Sequence, residues 1–208
     1  SAMASFIAGE LLPILGVKDY PKITLNDYRK VYSDSENLLT RHNGFTDLTY
    51  FQGEFYLAFR TGAVHGFRGL LGGKTIVLRS VDGLNWVKDA ELKVEGFVET
   101  RDPKFLQVNG RLVLYAICHK FSPRVTASYG FERLGQGRWS KPFECAPGVF
   151  WRPKKWGSQY VVANYGWVYD EKEERHFGVK LFQSQDGRIW KGISTILDYR
   201  TDANAVSY

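Results

Sequence analysis

The chain has 208 residues, a formal net charge of +6, 24% charged and 44% hydrophobic residues. That length carries one good core or two small domains, and the composition excludes a disordered or collagen-like chain. The positive charge is spread out with no dense Lys/Arg run, which speaks against a nucleic-acid arm and slightly for an anionic ligand. Two cysteines, Cys118 and Cys145, are too few for a disulfide framework and read as ordinary thiols.

In chain order, Ser1-Ala2-Met3 reads as an expression leftover and is set aside. Phe6 to Val17 is apolar, interrupted by Glu10 and Pro13, and predicts a short amphipathic packing helix rather than a membrane span. A lead-in strand is expected at Asp27 to Tyr32. Then a unit recurs three times: a polar head, a short strand, a glycine turn and a second apolar strand. The copies are Phe45 to Phe59, Thr100 to Ala116 and Trp151 to Asn164, with turns at Gly53, Gly110 and Gly157. The apolar runs are short, rich in Val, Leu, Phe and Tyr, and bounded by turn residues, so they are strands.

A second landmark has the same rhythm. Ser80-Val81-Asp82-Gly83-Leu84-Asn85-Trp86 and Ser184-Gln185-Asp186-Gly187-Arg188-Ile189-Trp190 both read S-x-D-G-x-x-W, and Gly135-Gln136-Gly137-Arg138-Trp139 between them is a degenerate third copy. Asp and Ser bond the backbone of their own turn, Gly takes a positive φ and Trp buries its ring, so the motif is a fold staple. A period near fifty residues predicts an all-β chain, a β-propeller of four-stranded antiparallel blades. Three to four blades are expected as part of a five- or six-bladed ring: 44–98, 99–148, 149–198 and the start of another at 199–208. Residues 1–43 form the lead-in. The chain stops inside an expected strand, which predicts a truncated product first, or else an assembly of copies or an open arc that covers its edges otherwise.

In such a fold the first strand of each blade lines the channel, and the second runs back to the same rim. The rim is therefore expected to gather Asp47, Arg60 and His65, then Arg101, Asp102 and His119. Arg152, Asn164 and Trp167 follow, and Asp202 and Asn204 come from the last stub. Asp47 and Asp102 are the candidate catalytic carboxylates. Arg60, His65, Arg101, His119, Arg152, Trp167 and Asp202 are candidate substrate contacts, the arginines by bidentate bonds to an anion. Each has a bland alternative: Asp47 and Asp102 pin strand starts, Arg60 pairs with Asp47, and His119 is a satisfied rim histidine. Arg101 and Asp102, as neighbours in a strand, are expected on opposite faces. No spacing demands a metal or cofactor.

The S-x-D-G-x-x-W copies resemble the Asp-box of sialidases and related propellers, and Phe45 to Trp86 resembles the first blade of sialidase-like glycoside hydrolases. Arg101-Asp102-Pro103 resembles a motif of five-bladed glycosidases that cleave furanosides and arabinosides. Together these imply a propeller acting on carbohydrate or glycoconjugate, with Asp102 in the role of a transition-state stabiliser. The chain departs from both patterns. Phe45-Thr46-Asp47-Leu48 stands where sialidases carry an arginine head, and Trp151-Arg152-Pro153 stands near where the furanosidase acid is expected. Two functions follow: a glycoside hydrolase with its site at the channel rim, or a non-catalytic propeller that binds glycans or proteins. Compartment stays open.

Overall fold

The computed structural model describes residues 24–25, 28–34, 36–65, 72–120, 125–169 and 175–198. The chain divides into two compact units, Ser1–Lys30 and Val31–Tyr208. The expected helix at 6–17 lies outside the described residues. Residues 28–34 carry no strand, and within the second unit the ring of Tyr32 rests on Phe59 at 4.8 Å. No helix among the described residues is long and apolar enough to cross a membrane.

The second unit is all β. The first sheet runs β1 (His42–Phe51), β2 (Glu54–Gly62), β3 (Lys74–Ser80) and β4 (Val87–Leu92), in that spatial order. The next holds β5 (Glu99–Val108), β6 (Arg111–Lys120) and β7 (Val125–Gly135), with β8 (Arg138–Trp139) and β9 (Phe143–Pro147) both pairing with β7. The third runs β10 (Val149–Trp156), β11 (Gln159–Tyr169), β12 (Arg175–Ser184) and β13 (Lys191–Asp198). Each is an antiparallel meander, and the innermost strands β1, β5 and β10 are successive neighbours. This is the partial propeller expected.

Two turns set the register of the leading hairpins. Gln52-Gly53 and Asn109-Gly110 both have positive φ at both positions, the geometry whose twist matches flanking strands. The core sits in the seams between blades, and β6 shows why. Its run from Leu112 to Cys118 is buried without a break. Leu112, Leu114, Ala116 and Cys118 face Phe51, Tyr56, Ala58 and Val77 of the first blade, while Val113 and Tyr115 face Phe150, Tyr160 and Val162 of the third. A strand covered on both faces loses the apolar–polar alternation, since each parity of residue has its own seam to fill. Full burial of such a side chain contributes about 1.5–3 kcal/mol.

Candidate functional site

Each innermost strand carries one extra residue at the same place. Register slips between Gly44 and Asp47 in β1, between Arg101 and Lys104 in β5, and between Trp151 and Lys154 in β10. The slip is built on a non-glycine residue in the left-handed region: Phe45 at φ 58°, Asp102 at 50° and Arg152 at 55°. These are β-bulges, which re-aim side chains and unpair the ladder. They make Phe45, Asp102 and Arg152 the equivalent positions of the three blades. Asp47 aligns instead with Lys104 and Lys154, so the two candidate carboxylates occupy different places in their blades.

The bulge also overturns the expected separation of Arg101 and Asp102. Strand alternation fails there, and Arg101 Nε lies 3.3 Å from Asp102 Oδ1. The same guanidinium rests 4.5 Å over the Phe45 ring, across the seam. His65 joins this group: its ring stands 5.1 Å from Phe45, and its Nδ1 lies 3.3 Å from His42 Nε2. Burial, then the charges of Arg60, His65 and Arg101, pull the His42 pKa below its ordinary value. Burial, and after it the Asp102 carboxylate, push the Tyr165 pKa up, and that ring stands 6.4 Å from Trp151.

Asp47 and Arg152 meet in one cavity of about 280 Å³, lined also by Thr46, Lys104, Phe105, Pro153 and Lys154. Thus all three blades contribute to it. Asp47 Oδ2 accepts the Phe105 backbone N–H at 2.7 Å, which ties β1 to β5 just past the second bulge. Lys104 Nζ donates to the Pro103 carbonyl at 3.0 Å and lies 5.4 Å from the Trp151 ring centroid. Asp102 is absent from this cavity and belongs to the adjoining cluster of Arg101, Phe45 and His65.

Arg60 stands elsewhere. It is wholly buried and grips Glu99, the first residue of β5, through Nε–Oε1 at 2.5 Å and Nη2–Oε2 at 3.1 Å. Its remaining fork nitrogen donates to the Val64 carbonyl at 2.7 Å. A Cβ on Gly62 would lie 2.8 Å from the guanidinium, and one on Gly73 would lie 2.8 Å from Glu99 Oε1. The glycines at the ends of the 62–73 loop therefore make room for a buried ion pair. Arg60 pairs with Glu99, not with Asp47. His119, at the end of β6, meets Thr126 Oγ1 through Nδ1 at 2.9 Å. Trp167 is placed as a β11 position opposite Phe177, and Asp202 and Asn204 lie outside the described residues. Asn164 is buried and donates to the Pro147 carbonyl at 2.9 Å.

The S-x-D-G-x-x-W loops sit away from this rim. Asp82 Oδ1 accepts the N–H groups of Leu84 and Asn85 at 2.8 Å each, and Trp86 Nε1 donates to the Gly83 carbonyl at 3.0 Å. These bonds, with the Asn85 backbone N–H the largest influence, hold the Asp82 carboxyl far below the usual carboxylate range. The second loop repeats the pattern around Asp186 and is seated on the middle blade: Tyr115 Oη donates to the Gly187 carbonyl at 2.7 Å and Arg111 to the Asp186 carbonyl at 2.8 Å.

Sequence reasoning missed His42, Lys104, Lys154 and Glu99. Lys104 and Lys154 directly follow the RDP and WRP heads, two positions after Asp102 and Arg152, as Asp47 stands two after Phe45, so the column is legible once the bulges are aligned. Glu99 carries no local signal, because its partner lies 39 residues away.

No protein-family model matches the sequence, and no curated protein matches it. Solved structures do share its fold. An α-L-arabinofuranosidase from Lactobacillus brevis superposes with a TM-score of 0.54 at 11% identity, over 72% of this chain and 54% of that one. Zg3597, a family 117 glycoside hydrolase of the marine bacterium Zobellia galactanivorans, gives 0.54 at 11% identity, over 74% and 46%. A sucrose-6-phosphate hydrolase from Lactobacillus gasseri gives 0.53 at 18% identity, over 74% and 33%. The chain thus spans about half the length of the first two. The partial propeller is a fold that the chain shares with these enzymes.

Proposed function

We propose that the protein is a carbohydrate-active propeller of the glycoside hydrolase type, with its site at the rim formed by the three bulged strand heads. The observation that carries this is the convergence of Asp47, Lys104 and Arg152, one from each blade, on a single cavity, with Asp102 two residues before Lys104 on the same strand. Asp47 and Asp102 are the two carboxylates that glycosidic cleavage requires: one to protonate the leaving oxygen or activate water, one to stabilise positive charge developing on the sugar. Asp102 is assigned the second role from its RDP setting, where Arg101 Nε lies 3.3 Å from its Oδ1. Of the two resemblances in the sequence, the one to furanoside and arabinoside hydrolases is favoured by the fold shared with an arabinofuranosidase and a sucrose-6-phosphate hydrolase. The sialidase type rests on the two S-x-D-G-x-x-W loops.

The test is turnover of a panel of aryl furanosides, arabinosides and sialosides. Asp102→Asn and Asp47→Asn should each abolish whatever hydrolysis the parent chain shows; activity that survives both changes removes the reading.

A second reading has its own support. Two of the three equivalent bulge positions carry Phe45 and Arg152 rather than acids, and Asp47 already spends one oxygen on the Phe105 N–H. That favours a rim that holds a glycan without cleaving it. Glycan-array binding by a chain that turns over no member of the aryl glycoside panel would select it.

A further inference from the structure

We propose that the rim cavity selects a sugar bearing an oxyanion, a carboxylate or a sulfate ester, with Trp151 as the platform under the sugar ring. This rests on the rim being a carbohydrate site and adds the class of sugar it takes.

Charge bookkeeping in the cavity is the first ground. Three cations, Lys104, Arg152 and Lys154, face one carboxylate, Asp47, and that carboxylate already accepts a backbone N–H. Lys104 uses one donor on the Pro103 carbonyl and keeps two. The side chains of Arg152 and Lys154 are exposed and have no hydrogen bond or ion pair among the described residues. A concave patch with surplus fixed cations draws an anion, and a free guanidinium fork offers it paired donors.

The placement of Arg152 by its bulge is the second ground. Phe45 and Asp102, at the equivalent positions, have Arg101 as a partner for their side chains. Arg152, at φ 55° in the third copy of the same bulge, has no such side-chain partner among the described residues. The bulge thus re-aims its guanidinium onto the cavity and leaves the donors open to a ligand. Trp151 precedes it, 42% exposed, with its ring braced by Tyr165 at 6.4 Å and Lys104 at 5.4 Å. An indole face beside a row of cations suits a ring that is apolar on one side and anionic at its edge.

The experiment is calorimetric titration with tetragalacturonate, its fully methyl-esterified counterpart and a sulfated oligosaccharide of equal length, in low and physiological salt, alongside an array of neutral glycans. Expected is binding of the uronate, the sulfated oligomer or both at least about tenfold tighter than the ester, the equivalent of one charge-assisted contact. Arg152→Ala, Lys154→Ala and Trp151→Ala should each weaken it by a similar factor, while Lys141→Ala, remote from the cavity, changes nothing. Whichever oligomer binds more tightly names the oxyanion. Equal or tighter binding of the ester or of neutral glycans overturns this inference and leaves the carbohydrate reading intact. An equal loss in the Lys141 variant also overturns it, as adhesion to the net positive surface. Absence of binding to every glycan overturns both.

Discussion

Asp89 on β4 of the first blade accepts two hydrogen bonds from the second blade, from the Gly137 N–H at 2.8 Å and from Trp139 Nε1 at 2.8 Å. In the two intact S-x-D-G-x-x-W loops the Asp bonds its own turn. The degenerate Gly135 to Trp139 copy has lost that Asp, and the neighbouring blade supplies a carboxylate in its place.

Asp89→Ala should therefore destabilise the protein by about 1–3 kcal/mol, since it strands a half-buried indole N–H and a turn N–H and removes the 3.3 Å contact to Arg79. Asp82→Ala, whose carboxylate serves an exposed turn, should cost less. Urea denaturation of the two variants gives the order, and the reverse order would break the argument.

The two motif glycines have the same φ, 72°, and different surroundings. A Cβ on Gly187 would lie 2.8 Å from both Tyr115 Oη and Val108, whereas on Gly83 it would meet only the Phe55 ring at 3.7 Å. Gly187→Ala should lower the melting temperature clearly more than Gly83→Ala. Equal shifts would mean that backbone conformation alone, about 1 kcal/mol, sets the cost at both.

The Arg60–Glu99 pair joins the first two blades beneath the rim. Glu99→Leu should cost about 3–5 kcal/mol, because it leaves a guanidinium buried and unpaired. Arg60→Met with Glu99→Leu together should cost less than Glu99→Leu alone. A double-mutant cycle measures this; simple additivity would show that the charges do not interact.

His42 predicts a pH dependence with a definite sign. Its folded pKa lies below the ordinary 6.5, through burial first and the charges of Arg60, His65 and Arg101 after it. The unfolded chain then binds the proton more readily. Stability from this residue is fully present above pH 6.5 and is lost as pH falls from there toward the folded value. His42→Asn should flatten the stability curve in that window and leave it unchanged above pH 7.5, as read by chemical denaturation at a series of pH values.

The strands were legible because their information is local. Short Val/Leu/Phe runs, the Gln52-Gly53 and Asn109-Gly110 turns and the S-x-D-G-x-x-W loops act within a few residues of one another, and they predict the blades and their order. The rim was half legible. Counted back from the turns, Asp47 and Lys104 each stand six residues before their turn glycine, so their shared level was available; pairing Asp47 with Asp102 followed residue chemistry rather than that count. The third hairpin is shorter, with Lys154 three residues before Gly157, so the count alone misses its place in the same column.

The repeat, the all-β class and the antiparallel order within each blade were thus determined by the sequence itself, since hydrophobic alternation and turn chemistry are short-range. Only the tertiary structure decided that Arg60 serves Glu99, that Asp89 completes a motif on another blade, and that Asp47, Lys104 and Arg152 share one cavity. Those contacts join residues about 40 to 105 positions apart along the chain, and what selects them is the packing of one sheet on the next, which no local pattern encodes.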